Sequence, residues 1–156
     1  MLLDMSCGGK AFYFDKSDPR VIFGDIRNKA YKIPDREIKI KPDAQWDFKK
    51  LPFKNEQFKA VVFDPPHLRQ AGKNGWQYKK YGVLDKDWES HLRAGFKEGF
   101  RVLKTGGVFI FKWCEFSIKL KEILKLTSQK PVLGNRGKFR SKTHWVVFVK
   151  EPTWTQ

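Results

Sequence analysis

The segment of this chain best suited to chemistry is Asp64-Pro65-Pro66-His67, which directly follows a continuous apolar run at residues 60–63. Two prolines cannot continue a central strand, so a strand must end here, and their rings hold the local backbone in a fixed direction. A carboxylate, preset carbonyl acceptors and a flat ring therefore meet at one strand end. This set predicts a receptor for a planar group that carries an amine, and a plain strand-ending turn is the alternative interpretation.

A second candidate segment lies near the amino terminus, where Asp4 and Ser6 precede Gly8 and Gly9, and a further apolar run ends at Asp25. Glycines after a strand let a ligand approach the backbone closely at the carboxyl edge of a sheet, and an acid ending the next strand can accept hydrogen bonds from ribose hydroxyls. The pattern indicates a nucleoside-like ligand. Without a GxGxxG motif, a dinucleotide is disfavoured. An ordinary turn with a solvated Asp25 is the alternative interpretation.

Strands that alternate with helices must position these two segments. Short apolar runs predict strands at residues 2–5, 21–25, 38–40, 60–64, 108–113, 132–133 and 143–149. A stripe of Trp88, Leu92, Phe96 and Phe100 predicts a helix over residues 87–103, and a second helix is predicted over 117–126 with Ser117 as its cap. The alternation predicts a parallel sheet that is covered on both faces.

The last strand is predicted to run against the others. Its approach through residues 134–142 is too short for a parallel crossover, so residues 143–149 should pair antiparallel with 108–113. Residues 67–86 show no periodicity and are predicted to be a loop that is either functional or disordered. We therefore predict one Rossmann-like α/β domain at residues 1–150, with a mostly parallel sheet and one antiparallel strand, and a tail at 151–156.

Charge indicates the partner. The chain has 32 Lys and Arg against 17 Asp and Glu, which gives a net charge of +15. This charge predicts binding to nucleic acid, and binding to an anionic membrane surface is the second possibility. A charged surface that only keeps the protein in solution is the alternative interpretation. No apolar run is long enough for a membrane helix, and the amino terminus does not resemble a signal peptide. Two separated cysteines favour a reducing cytoplasm, and the three histidines show no metal-ligand spacing, so no metal is predicted.

The order of these segments resembles class I S-adenosylmethionine-dependent methyltransferases with a Rossmann-like fold. The resemblance covers about residues 2–149 and is carried by Asp4…Gly8-Gly9, Asp25, Asp47, Leu51-Pro52-Phe53, Asp64-Pro65-Pro66-His67 and Lys104-Thr105-Gly106-Gly107. Within that class the chain is similar to amino-methyltransferases of DNA and RNA bases, whose signature is Asp, Asn or Ser, two prolines and an aromatic residue. It is most similar to small single-domain methyltransferases of phages and prophages. His67 departs from the usual aromatic residue.

The resemblance implies S-adenosylmethionine as the cofactor and a role for each matched residue. Asp4, Ser6, Gly8 and Gly9 would line its methionine part, Asp25 would hold the ribose, and Asp47 with Phe48 would flank the adenine. The catalytic set would be Asp64, Pro65, Pro66 and His67, in which the Asp64 carboxylate and the Pro65 carbonyl hold the target amine and His67 stacks on the target base.

The resemblance also implies a nucleic-acid substrate, with DNA favoured over RNA. The chain lacks a sizeable target-recognition insert, so two basic loops are the predicted nucleic-acid contacts: Arg69, Lys73, Trp76, Lys79 and Lys80 in one, and Arg136, Lys138 and Arg140 in the other. Aromatic residues in the first loop could also serve only to anchor it. Adenine N6 is favoured over cytosine N4, because Asp opens the motif as in the adenine enzymes, whereas Ser is commoner in the cytosine enzymes. An RNA base (adenine N6 or guanine N2), a non-catalytic nucleic-acid-binding protein, and a methyltransferase for a protein or small molecule stay open.

Overall fold

The computed structural model describes residues 1–135 and 142–152, which form one central sheet with a small hairpin beside it. The strands are Leu2–Asp4 (β1), Val21–Asp25 (β2), Lys29–Ile33 (β3), Arg36–Ile40 (β4), Ala44–Gln45 (β5), Phe58–Phe63 (β6), Leu103–Cys114 (β7), Leu133–Gly134 (β8) and Thr143–Val149 (β9). The helices are Trp76–Tyr81 (α1), Trp88–Val102 (α2) and Leu120–Leu124 (α3). Among the described residues, no helix has the length and apolar character needed to cross a membrane.

The central sheet has the strand order β5-β2-β1-β6-β7-β9-β8. β1 pairs in parallel with both β2 and β6, and β6 pairs in parallel with β7. The chain therefore builds outward from β1 on one side and then returns to begin the other side at β6. This reversal is a topological switch point, and open α/β sheets form their ligand crevice at the carboxyl ends of the strands there.

The last strand runs against its neighbours, as the sequence predicts. β9 pairs antiparallel with β7, from Val108↔Val149 to Cys114↔Thr143, and β8 pairs antiparallel with β9. β8 consequently runs in the same direction as β7, which leaves β9 as the one reversed strand of the described sheet. The predicted fold class, an α/β domain with a mostly parallel sheet and one antiparallel strand, is confirmed.

The main core forms where α2 packs on the sheet. The Phe96 ring lies 4.9 Å from the Phe111 ring and 5.9 Å from the Phe109 ring, centroid to centroid. Gly99 allows this approach, because a Cβ atom at that position would lie 2.3 Å from the Phe109 ring. The apolar stripe predicted from sequence is thus the buried face of α2, and it anchors β6 and β7, whose ends carry the candidate site.

Loops, and not helices, cover the second face of the central sheet. Neither the β1–β2 connection nor the β2–β5 connection, both within the described part of the chain, contains a helix. Loop aromatics take that place: the Phe12 ring packs 5.0 Å from Trp145, and Tyr13 packs 4.7 Å from Phe23. The second face is therefore covered by loop side chains and not by helices, and Gly or Pro residues interrupt both connections.

Three local predictions need correction. The helix predicted over residues 117–126 comprises only Leu120–Leu124, because the Ile118 carbonyl accepts a hydrogen bond from the Trp113 indole. Ser117 does not cap this helix, and its hydroxyl accepts a hydrogen bond from the Arg69 N–H. The predicted strand at 38–40 belongs to the β3–β4 hairpin, which stands apart from the central sheet. The predicted loop at 67–86 contains α1.

Candidate active site

A cavity of about 940 Å³ opens at the carboxyl ends of β1, β2 and β6. Its lining comes from the loop after β1, the end of β2, the segment after β6, Lys112 of β7, helix α1 and the β3–β4 hairpin. Eight of the predicted cofactor or catalytic residues line it, namely Ser6, Gly8, Gly9, Asp25, Phe48, Asp64, Pro66 and His67. Segments that are distant in sequence thus share one volume, large enough for a nucleoside-sized ligand and a second planar group.

The loop after β1 is tied to both neighbouring strand ends. Gly8 has φ +50°, in the left-handed region that favours glycine, and its N–H donates to Asp25 Oδ2 at 2.9 Å. Ser6 Oγ accepts a hydrogen bond from the Asp64 N–H at 3.1 Å. The glycine loop and the Asp64-Pro65-Pro66-His67 segment are therefore held in one rigid unit, although 58 positions separate the two hydrogen-bonded residues.

Asp25 is saturated by its own chain. Its carboxylate accepts from Gly8 N, from Arg27 N at 2.9 Å, from Arg27 Nε at 3.0 Å and from Arg27 Nη2 at 3.3 Å. An ionised carboxylate offers about four acceptor sites, so a ribose hydroxyl could bind Asp25 only if one of these bonds gave way. Arg27 also lines the cavity, and its buried Nη1 has no hydrogen-bond partner among the described residues. Sequence analysis missed Arg27, although an arginine two residues after a strand-end acid was a usable signal.

Asp4 lies beneath the glycine loop and is absent from the described cavity lining. It is fully buried, and its Oδ1 accepts the Ser6 N–H at 3.1 Å. Burial raises the pKa of Asp4 to about 7, against the smaller lowering effects of the Ser6 N–H and the Tyr13 hydroxyl. Asp4 therefore supports the loop from below.

We expect Asp4→Asn to change how stability depends on pH. Between pH 3.8 and about pH 7 the folded chain keeps a proton on Asp4 that the unfolded chain has lost, so this group makes the wild type less stable as pH rises through that window. Asparagine can keep the Ser6 hydrogen bond without a charge. Relative to wild type, the variant should gain about 4 kcal/mol between pH 4 and pH 8, measured by urea unfolding. A difference that stays constant over this range would contradict the assignment.

Asp64 is paired inside the cavity. Its Oδ2 accepts a hydrogen bond from Lys112 Nζ at 2.7 Å, and both side chains are about four-fifths buried, with 22% and 21% exposed. Burial raises the pKa of Asp64, and the Lys112 charge opposes that rise. Lys112 was missed by sequence analysis because nothing in its local pattern marks it, and only the pairing of β6 with β7 brings it beside Asp64.

His67 is an uncharged flat ring at neutral pH. Burial, helped by the Lys112 charge, lowers the pKa of His67 to about 4. Its ring lies 5.3 Å from Tyr81 and 6.3 Å from Trp113. A neutral imidazole in an aromatic setting suits the stacking role that the sequence assigns to it. Pro65 is buried next to it without lining the cavity.

The two residues predicted to flank an adenine differ in placement. Phe48 lines the cavity and packs against Phe63, with ring centroids 5.1 Å apart. The Asp47 carboxylate instead accepts the Lys49 N–H at 2.9 Å, and Asp47 is not among the described lining residues. The structure thus brings only Phe48 to the cavity wall.

A second, smaller cleft of about 390 Å³ lies between α1 and the β3–β4 hairpin. It is lined by Lys32, Ile33, Pro34, Asp35, Arg36, Asn74, Trp76 and Lys79. Arg36 and Trp76 line both cavities, so the two lie side by side. Sequence analysis missed this hairpin as part of the site.

The predicted nucleic-acid contacts are distributed unevenly around these cavities. Trp76 and Lys80 line the main cavity, and Trp76 with Lys79 lines the second cleft. Arg69 and Lys73 line neither. The remaining three predicted contacts, Arg136, Lys138 and Arg140, lie outside the described residues.

No family model matches the chain, and no curated protein matches it by sequence. Solved structures do match. A protein of Pyrococcus horikoshii superimposes with a TM-score of 0.63 at 16% identity over 96% of this chain and 81% of its own. A SAM-dependent methyltransferase of Methanosarcina mazei gives 0.60 at 12% identity, over 96% and 92% of the two chains. The N-methyltransferase NodS of Bradyrhizobium japonicum gives 0.58 at 14% identity, over 97% and 85%. The chain therefore has the Rossmann-like fold of class I methyltransferases.

Proposed function

We propose that this chain is an S-adenosylmethionine-dependent methyltransferase that acts on an exocyclic amine of a nucleic-acid base, with adenine N6 in DNA as the target. The observation that carries the proposal is the shared cavity, in which the glycine loop and Asp64-Pro65-Pro66-His67 are joined through the Ser6–Asp64 hydrogen bond. Transfer of a methyl group between two bound molecules requires that a cofactor site and an amine site lie together, and both lie at this switch point.

The cavity fits S-adenosylmethionine at three points. A Cβ atom at Gly8 would meet nothing closer than 4.0 Å, so the loop offers an open cradle. Arg27 Nη1 is an unpartnered buried donor that suits the carboxylate of an amino-acid group, and Phe48 offers an aromatic wall for a nucleobase. When bound, S-adenosylmethionine would supply a sulfonium methyl group: the amine nitrogen would bond to the methyl carbon as the methyl–sulfur bond breaks, S-adenosylhomocysteine would leave, and the amine would lose a proton to solvent.

The chain's contribution to the reaction is to orient the amine. An exocyclic base amine is a poor nucleophile because its lone pair is delocalised into the ring. A hydrogen bond from one of its N–H groups to the Asp64 carboxylate favours a more pyramidal nitrogen and stabilises the positive charge that develops on it. The Pro65 carbonyl, which the resemblance also assigns to the amine, belongs to a residue outside the described cavity lining, so Asp64 is the acceptor that the cavity supports. The uncharged His67 ring offers a stacking surface for the base once it has left its own stack.

Charge and the second cleft support a nucleic-acid substrate. The net charge of +15 favours binding to a polyanion, whose phosphates Lys and Arg side chains neutralise. The cleft beside the main cavity carries Lys32, Arg36 and Lys79 against one carboxylate, Asp35, and Trp76, which lines both, is 48% exposed. Basic groups around an exposed aromatic ring suit a single strand, whose phosphates pair with the cations while a base stacks on the ring.

Neutralising the second cleft should weaken nucleic-acid binding in a salt-dependent way. In the double variant Lys32→Gln/Lys79→Gln, two phosphate contacts are lost. The slope of log affinity against log salt should therefore become shallower by about 1.4–1.8, measured by fluorescence anisotropy with a labelled single-stranded oligonucleotide.

A matched control is Lys97→Gln/Lys121→Gln, which makes the same charge change at two exposed helix positions outside both cavities. Its slope should equal that of the wild type. Equal changes of the salt slope in the two double variants would mean that the overall charge of the protein, and not the second cleft, determines nucleic-acid binding.

Tritiated methyl transfer to DNA and RNA pools, followed by nucleoside mass spectrometry, tests the proposed function. We expect N6-methyladenine in DNA. N6-methyladenine or N2-methylguanine in the RNA pool alone would move the substrate to RNA. S-adenosylmethionine binding by calorimetry separates the remaining case: nucleic-acid binding with no cofactor binding would identify a non-catalytic binding protein on this scaffold.

A further inference from the structure

The ion pair between Asp64 and Lys112 places a hydrogen-bond acceptor and a donor side by side in the main cavity. Lys112 Nζ donates to Asp64 Oδ2 at 2.7 Å, and both residues line the cavity. Among the described residues, Asp64 Oδ1 has no hydrogen-bond partner within the protein, and Lys112 Nζ donates to no other acceptor. One carboxylate oxygen and two ammonium N–H groups are thus available for a ligand.

The lysine is held in place from its other sides as well. Its Nζ lies 5.4 Å from the Phe12 ring centroid and 5.9 Å from the Trp145 ring centroid. Aromatic faces attract a cation at such distances, so the ammonium is confined between Asp64 and two rings. An ammonium group fixed in this way donates its hydrogen bonds to a ligand in set directions, whereas a mobile surface lysine does not.

The bases differ in what lies beside their exocyclic amine. In adenine the N6 amine neighbours the acceptor N1, and in cytosine the N4 amine neighbours the acceptor N3. In guanine the N2 amine neighbours the donor N1–H on the Watson–Crick edge. An acceptor next to a donor therefore complements the edges of adenine and cytosine, and it sets a donor against a donor on that edge of guanine.

We propose that Lys112 is a specificity-determining residue that donates a hydrogen bond to the ring nitrogen beside the target amine, while Asp64 accepts from the amine itself. This inference rests on the proposed function and refines its substrate class to amines whose neighbouring ring nitrogen on the Watson–Crick edge is unprotonated. Enzymes that act on an extruded base read it by hydrogen bonds to its Watson–Crick edge, and this pair provides two of them.

A base analogue tests the inference directly. Single-stranded oligonucleotides carry adenine, 1-deazaadenine or 7-deazaadenine at the methylated position, and single-turnover rates are measured for wild type and Lys112→Met. The 1-deaza substitution removes the N1 acceptor and keeps the amine. Wild type should lose about 10–100-fold on 1-deazaadenine, the loss expected for one hydrogen bond to a charged group. The 7-deaza control should react like adenine.

Lys112→Met should be slower than wild type on adenine but should show nearly the same rate on 1-deazaadenine as on adenine, because the donor is gone. Lys112→Arg keeps a cationic donor and should restore part of the discrimination, which a purely structural ion pair would not do. Binding of the three oligonucleotides in the presence of S-adenosylhomocysteine provides the same comparison without turnover, and it covers the case in which a variant is inactive. If the methylated base is cytosine, 3-deazacytosine replaces 1-deazaadenine.

The possible failures are distinguishable. Equal wild-type rates on adenine and 1-deazaadenine would overturn the role of Lys112 and leave the methyltransferase assignment intact. Discrimination that persists in Lys112→Met would also overturn it. N2-methylguanine as the product would contradict the predicted edge complementarity. No methylation of any base by the wild type would remove the proposed function and this inference together.

Discussion

Replacing Asp64 with alanine is expected to lower the rate of methyl transfer by about 100-fold or more while S-adenosylmethionine still binds. The carboxylate lines the cavity and is proposed to hold the target amine, and removing one oriented acceptor at a reacting centre has an effect of this size. Cofactor affinity should change little, because the Ser6 hydrogen bond uses the backbone N–H of residue 64 and not its side chain. Methyl transfer at saturating substrate and calorimetry of the cofactor measure the two effects separately.

Two further variants make this result interpretable. Asp64→Asn keeps one carbonyl acceptor and should fall between the wild type and the alanine variant. Asp18→Ala makes the same change just before β2, at the opposite end of the sheet, where Asp18 pairs with Arg20 at 2.6 Å, and it should leave turnover unchanged. Near-wild-type turnover in Asp64→Ala would show that the amine receptor lies elsewhere.

Replacing Asp25 with alanine should produce the opposite pattern, in which cofactor affinity is lost first. Four hydrogen bonds converge on this carboxylate and tie the glycine loop to Arg27. Without it, the Gly8 N–H is unpaired and the buried guanidinium has lost its counter-charge, so the loop loses its shape. We expect S-adenosylmethionine affinity to fall at least about 30-fold, which corresponds to about 2 kcal/mol, measured by calorimetry.

Arg27→Met separates the two functions of this pair. It removes the donor that we assign to the cofactor carboxylate and leaves the Gly8–Asp25 hydrogen bond in place. Its cofactor affinity should also fall, and its unfolding midpoint should fall less than that of Asp25→Ala. If Asp25→Ala binds the cofactor as tightly as the wild type, the glycine loop is not the cofactor site.

Short-range patterns were sufficient to predict the parts of this protein that depend on neighbouring residues. The apolar runs predicted β2, β6 and β9, the stripe on α2 predicted its buried face, and the short connection before β9 predicted its antiparallel direction. The prolines after β6 and the glycines after β1 marked both halves of the cavity, because strand ends, turns and backbone constraints are encoded within a few positions.

Only the tertiary structure decided the groups that complete the site. Lys112 lies beside Asp64, 48 positions away in sequence, because β7 pairs in parallel with β6. The β3–β4 hairpin and α1 line the second cleft together, although neither segment contains a recognisable motif. Arg27 fills the acceptor sites of Asp25. Burial lowers the pKa of His67 and raises the pKa of Asp4. Residue type alone specifies none of these three properties. Such properties arise from strand pairing and desolvation, which depend on the whole fold and not on local sequence.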